Sequence, residues 1–291
     1  MQGAMVALIT PMKDGSVDEQ ALRGLVRFQE DNGVDVLVPC GTTGESATLT
    51  HEEHEQVIEI VVDESNKAKV MAGTGSNSTH ETLRLTHHAA RVGCDAALVI
   101  TPYYNKPPQR GMYEHFRRVA EEVDIDIVLY NVPSRTGINL DANTVVRLAD
   151  ISNIVAVKEA SGDLGQVSEI ITKTPENFAV LSGDDALTLP LLAIGGKGVV
   201  SVISNIAPGL VSKLVHSWQN GDSATAREVH QQLFPLMRAM FWETNPIPVK
   251  AAASMKGLCR NELRPPMVTM DTELQENLRK MMLACGVSAD E

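Results

Sequence analysis

Cysteine is scarce in this sequence and never closely paired. Cys40, Cys94, Cys259 and Cys285 are scattered over 291 residues, with no C-x-x-C spacing. A framework of paired cysteines is thereby excluded, and reduced thiols in a cytoplasmic protein are expected. Positive charge is also short. Lys and Arg number 25 against 37 Asp and Glu, a formal net charge of −12. Such an acidic surface argues against general nucleic-acid binding, yet a local pocket can still be basic and take an anionic substrate. No apolar run approaches the roughly 18 residues of a membrane span. The opening MQGAMVALITPM has no basic n-region and too short an apolar stretch for a signal peptide. The expectation is a protein without nucleic-acid or membrane partners.

No low-complexity or Pro/Gly-rich linker divides the first 205 residues. What fills them is an alternation. Short apolar runs, most of them rich in Val, Ile and Leu, occupy 4–9, 34–39, 69–72, 96–100, 126–130, 154–158, 178–182 and 198–203. Helical patterns lie between them at 19–32, 50–64, 79–92, 111–122, 141–149, 165–172 and 186–194. Thr50 followed three residues later by Glu53 is a capping-box signature. Parallel strands need such crossovers, and eight βα units suit a (β/α)8 barrel better than a doubly wound sheet. After Pro208 only helical patterns remain, at 208–220, 223–242, 247–255 and 271–285. The sequence thus predicts an α/β TIM barrel over residues 1–207 and a C-terminal helical appendage over 208–291.

A barrel carries its chemistry at the C-terminal ends of its strands. Gathered there are Thr42-Thr43 after the second run, Tyr103-Tyr104 after the fourth, Tyr130 through Arg135 at the fifth, Lys158-Glu159 at the sixth and Gly183 after the seventh. A lysine pointing into an apolar barrel loses solvation, which favours the neutral amine, and a neutral amine attacks a carbonyl to form a Schiff base. If Lys158 faces inward, strict alternation puts Ala156 and Ile154 inward too, with Val155 and Val157 toward the helices. Tyr130, one strand away, could carry protons through a hydroxyl such as Thr42. Backbone amides around Thr42-Thr43 could meet a carboxylate, and Arg135 could hold a second one. The plainer reading leaves Lys158 paired with Glu159 or another rim acid, with the tyrosines as ordinary rim residues.

Two other patterns fall short of a motif. Gly73-Thr-Gly75-Ser-Asn-Ser78 lacks the third glycine of a dinucleotide fingerprint. His51 and His54 are three residues apart rather than the four of H-E-x-x-H, so no metal is expected. Residues 243–250, Asn245 among them, read as a loop entering a helix at Pro246.

Three segments decide between the readings of Lys158. Gly41-Thr42-Thr43-Gly44-Glu45, Tyr130-Asn131-Val132-Pro133-Ser134-Arg135-Thr136-Gly137 and Val157-Lys158-Glu159-Ala160 resemble, in type, order and spacing, the pyruvate-dependent lyase and aldolase superfamily, and within it the dihydrodipicolinate synthase family. The resemblance runs from about Gly3 to the C-terminus and weakens after residue 210. Relatives acting on sialic acid typically carry Ser-Thr at the place of Thr42-Thr43 and lack an arginine at the place of Arg135. The resemblance implies an imine between Lys158 and pyruvate. It implies a proton relay of Tyr130, Thr42 and Tyr104, the last reaching into a neighbouring subunit of a homotetramer. Thr42 and Thr43 would bind the pyruvate carboxylate and Arg135 the carboxylate of aspartate semialdehyde, with Gly183 and Val200 lining the pocket. The family often has isoleucine where this chain has Val200. No cofactor is implied, and residues 243–250 are implied to shape an entrance rather than to do chemistry. A sugar-acid lyase and a catalytically silent acid sensor remain the alternatives.

The same resemblance implies an inhibitory site for L-lysine in a cleft between two subunits, at Ser46, Ala47, His51, His54, Asn77, Glu81 and Tyr103. Glu81 would pair with the α-ammonium and Asn77 would hydrogen-bond the carboxylate.

Overall fold

The computed structural model describes residues 1–289; residues 290 and 291 of the expected appendage lie outside the described residues. Eight strands close a parallel barrel: β1 Gly3–Ala7, β2 Val36–Val38, β3 Lys69–Gly73, β4 Ala96–Ile100, β5 Asp126–Asn131, β6 Ile154–Glu159, β7 Ala179–Ser182 and β8 Gly198–Ser201. Each strand pairs with its neighbours in sequence, and β8 closes on β1. Helices α1 Glu19–Asp31, α2 His51–Glu64, α3 Thr79–Val92, α4 Gln109–Glu122, α5 Pro133–Thr136, α6 Ala142–Leu148, α7 Leu164–Lys173 and α8 Thr188–Ala193 alternate with them. Four more follow: α9 Pro208–Gln219, α10 Ser223–Ala239, α11 Ile247–Met255 and α12 Thr272–Ala284.

Local chemistry fixes the ends of these helices. Thr50 caps α2 with the reciprocal Glu53 contact that the sequence signals, and Asp18, Ser78, Asp141, Asp163, Asp222 and Asp271 cap six others. A cap of this kind contributes about 1 kcal/mol. Differences from expectation are mostly at boundaries. Helix α4 begins at Gln109 rather than at 111, α10 stops at Ala239, and the segment 186–194 is divided into a 3₁₀ turn, Asp185–Leu187, and α8. Besides the 3₁₀ turns Ser46–Thr48 and Ile203–Asn205, two elements among the described residues were not expected. One is the small hairpin of Met12–Lys13 with Ser16–Val17; the other is α5, a single turn inside the Tyr130–Gly137 motif.

Two apolar layers surround the sheet. Met5, Ala7, Val38, Met71, Leu98, Val128, Ala156, Leu181 and Val200 fill the barrel. Leu37, Val70, Val99, Ile127, Leu129, Val157 and Val180 face the ring of helices. The strict alternation expected of β6 fails at its foot. Ile127 pairs with Ile154 but Val128 pairs with Ala156, so Val155 is an extra residue, a β-bulge. Ile154 consequently lies in the helix-facing layer and Val155 packs against the barrel interior, the reverse of the expectation. Above the bulge the alternation is as expected, with Ala156 in the interior and Val157 outside it.

Helix α9 packs on β1, and Ala4, Leu25 and Val199 share one apolar cluster with α9, α10, α11 and α12. The C-terminal helices are therefore continuous with the barrel wall. A buried ion pair also ties them to the rim: Lys250 Nζ of α11 lies 2.5 Å from Glu45 Oε1, with the two side chains 0% and 2% exposed. Among the described residues, no helix is long and apolar enough to cross a membrane.

Candidate active site

Strand pairing brings the key side chains together. Tyr130 of β5 and Lys158 of β6 are register partners, one residue short of the last pair on their strands. Both side chains are buried, and Lys158 Nζ lies 4.1 Å from the centroid of the Tyr130 ring. Lys158 has no ion pair among the described residues. Glu159, the partner of the plainer reading, is occupied elsewhere. Its carboxylate accepts from Asn131 Nδ2 at 3.1 Å, from the Ser161 amide at 2.7 Å and from Gln166 Nε2 at 2.9 Å. Room for the lysine comes from Gly183. A Cβ there would stand 3.1 Å from Lys158 Cε and 2.7 Å from the Ala160 Cβ.

Lys158, Tyr130, Thr42, Thr43, Arg135 and Gly183 line one cavity of about 120 Å³ at the C-terminal rim. Asp184, Val202 and Asn245 complete much of its wall. Val200 is not among the residues lining it, although it shares the interior cluster with the lining residues Ala7, Val38 and Leu98; Val202 lines the cavity. Arg135 stands at the mouth, where Nη2 donates to the Asn245 carbonyl at 3.0 Å. Asn245 Nδ2 donates to Thr43 Oγ1 at 3.0 Å. Neighbouring Asp185 is fully buried, and burial pushes its carboxyl up to about 6 although it accepts from the amides of Val202 and Ile203.

Tyr104 is not in this cavity. It occupies a left-handed turn, φ 64°, and is 88% exposed. No hydrogen bond joins Thr42, Tyr130 and Tyr104 among the described residues.

A second cleft of about 430 Å³ opens beside the first and shares Thr42, Tyr130 and Arg135 with it. Ser46, Ala47, His51, His54, Glu81 and Tyr103 line it, but Asn77 does not. The Asn77 carbonyl instead accepts from Asn105 Nδ2 at 2.9 Å. Glu81 Oε1 lies 2.7 Å from His51 Nε2, and its other oxygen accepts from Ser76 Oγ. Those two contacts, Ser76 first, hold the Glu81 carboxyl below its ordinary range. Burial drives the His54 imidazole down to about 4.

Sequence reasoning put the stretch 243–250 at the entrance but singled out neither Asn245 as a cavity residue nor the pairing of Lys250 with Glu45. The signal was present: Lys250 is a lone lysine in the apolar stretch Ile247-Pro-Val-Lys-Ala-Ala-Ala, and such a residue asks for a buried acid.

The arrangement can form an imine. It has an amine free of ion pairs, a phenol beside it, two threonines for one carboxylate and an arginine for another. Comparison with known proteins points the same way. Residues 1–285 match the dihydrodipicolinate synthetase family. The chain is 57% identical over 283 residues to the 4-hydroxy-tetrahydrodipicolinate synthase of Methanothrix thermoacetophila, covering 97% of this chain and 96% of that one. The crystal structure of dihydrodipicolinate synthase from Aquifex aeolicus superposes with a TM-score of 0.97, at 51% identity and 99% coverage of both chains. The synthase of Cyanidioschyzon merolae, solved with lysine bound, gives a TM-score of 0.96 at 41% identity, again covering 99% of both chains.

Proposed function

The chain belongs to the dihydrodipicolinate synthetase family and is a lyase of that family, and on that premise we propose that it condenses pyruvate with L-aspartate 4-semialdehyde to 4-hydroxy-tetrahydrodipicolinate, on the route to diaminopimelate and lysine. Lys158 Nζ adds to the pyruvate carbonyl, water leaves, and an imine forms. Loss of a proton from the methyl group gives the enamine, whose carbon attacks the aldehyde and leaves a hydroxyl on the new bond. The substrate's own amine, once deprotonated, then adds to the imine carbon; the ring closes and Lys158 departs as the amine. In this reading Tyr130 and Thr42 carry the protons, Thr42 and Thr43 hold the pyruvate carboxylate, and Arg135 holds that of the aldehyde.

The observation that carries this reading is the buried Lys158 amine, free of ion pairs among the described residues and 4.1 Å from the Tyr130 ring centroid. Borohydride added with pyruvate should trap one pyruvate-derived adduct, and peptide mapping should place it on Lys158. An adduct on another lysine, or none, would defeat the mechanism.

The finer parts of the reading concern regulation and assembly. The cleft lined by His51, His54, Glu81 and Tyr103 adjoins the catalytic cavity, and the lysine-bound relative supports assigning it to L-lysine as a feedback inhibitor. Tyr104 projects from the single chain. In a cytoplasmic homotetramer it would complete the relay of a neighbouring subunit. Sedimentation that found a fully active monomer would remove that role.

A further inference from the structure

The aldehyde substrate of the proposed reaction, on which this inference rests, carries an ammonium group as well as a carboxylate. Arg135 suits the carboxylate, whereas the ammonium needs an acceptor. Most acidic groups around the cavity already have donors. Asp184 Oδ1 accepts from the Ala186 amide at 2.9 Å. Asp185 serves the amides of Val202 and Ile203. The Glu45 carboxylate takes Lys250 Nζ on one oxygen and the Arg264 amide on the other.

Asn245 is different. It lines both the catalytic cavity and the adjoining cleft and is 5% exposed. Its Nδ2 is committed to Thr43 and its backbone carbonyl to Arg135. Its Oδ1 is buried and has no hydrogen-bond partner. Buried acceptors are normally paired; this one is sealed from solvent in the unliganded chain but belongs to a residue of the cavity wall, so a small turn of the side chain would bring it to a donor arriving with the substrate. Because Asn245 Nδ2 donates, Thr43 Oγ1 accepts, and the Thr43 hydroxyl proton remains free for the pyruvate carboxylate. One residue thus touches Thr43 through its side-chain amide and Arg135 through its backbone carbonyl, and holds a spare acceptor.

We propose that Asn245 Oδ1 accepts a hydrogen bond from the α-ammonium of the aldehyde substrate, and that this contact lets the site distinguish an amino-aldehyde from its des-amino analogue. The nitrogen so held is the one that later closes the ring, so its placement serves turnover as well as binding.

The test compares the KM of L-aspartate 4-semialdehyde with the inhibition constant of 4-oxobutanoate, which keeps the carboxylate and aldehyde but lacks the nitrogen. In Asn245→Ala, the KM should rise about tenfold or more, with the inhibition constant nearly unchanged. A parallel rise in both would mean that Asn245 serves features the two compounds share, through its side-chain contact with Thr43, rather than the nitrogen, and would overturn the proposal. No change in either would overturn it as well, as would transfer of the discrimination to an Asp184→Asn variant. Borohydride trapping of pyruvate on Lys158 checks that the variant is folded. Should Asn245→Ala not trap pyruvate, Asn245→Asp takes its place. A carboxylate keeps the acceptor, so the preference for the amino-aldehyde should persist or grow, and its loss refutes the assignment. Wild-type protein that does not condense the two substrates would defeat the proposed function itself. A working wild type with no selective effect at Asn245 would defeat only this inference.

Discussion

Lys158 and Tyr130 face each other across one rung of the barrel, with the amine of the first 4.1 Å from the ring centroid of the second. The ring covers the amine while the hydroxyl at its edge is the group able to move protons. Tyr130→Phe separates these roles. It should leave borohydride trapping by Lys158 largely intact and lower kcat by about 10²–10⁴, the usual worth of a positioned acid–base group. Steady-state kinetics beside mass mapping would check this, and unchanged kcat would remove Tyr130 from the relay.

Gly183→Ala places a methyl group 3.1 Å from Lys158 Cε and 2.7 Å from the Ala160 Cβ. Overpacking of this kind costs about 1–3 kcal/mol. The expected outcome is a lower melting temperature, because the Ala160 Cβ must shift, together with slower imine formation on the proposed mechanism, because Lys158 Cε is crowded as well. Stopped-flow measurement of pyruvate binding would read it.

Arg135→Ala should weaken use of the aldehyde while sparing the pyruvate imine. A charge-assisted contact is worth about 1.5–3 kcal/mol, or one to two decades in KM. Equal losses in imine trapping and aldehyde KM would contradict the assignment.

In the cleft proposed for L-lysine, the Glu81 carboxylate is shared between His51 and Ser76. An incoming α-ammonium would take the place of the imidazole. Glu81→Ala should therefore weaken L-lysine binding at least tenfold by calorimetry, on the scale of a charge-assisted bond, and leave basal turnover unchanged. Absence of L-lysine binding to the wild type at millimolar concentration would refute the site.

Stability should fall in mild acid. Burial depresses the imidazoles of His54 and His115 from 6.5 to about 4. A group whose folded value is depressed contributes stability above its unfolded value and loses it as pH falls through the folded one, here from about 6.5 to 4. Each such group adds up to about 1.4 kcal/mol per pH unit. His115 makes one hydrogen bond, Nδ1 with Thr79 Oγ1, and its Nε2 is unpartnered. His115→Leu should flatten the pH dependence of urea unfolding by up to one proton, whereas an unchanged slope would show that His115 does not titrate there.

Much of the site was legible because its residues stand at strand ends, and strand ends are marked by where apolar runs stop. Lys158, Tyr130 and Thr42 follow from that rule and from motif spacing, and the structure places all three in one cavity. Val200 stands two residues before Val202, the residue of this segment that lines the cavity. Asn245 was missed for another reason. Its role depends on a contact with Thr43 across 202 residues of sequence, and no local pattern records such a distance. Ile154 was misassigned because a bulge leaves no mark in an unbroken run of Ile, Val and Ala.

That bulge has a mechanical meaning. A pleated strand has only two phases, and an odd residue anywhere along it reverses every side chain on one side of the insertion. In β6 the reversal is confined to the foot, below Ala156, while the upper end is locked in phase with Tyr130 and Asn131 on one side and with Leu181 and Ser182 on the other. The foot therefore serves as slack. Drift in the length of the preceding loop can be absorbed there without turning Lys158 out of the barrel, whereas the same single-residue change between Ala156 and Lys158 has nothing to absorb it.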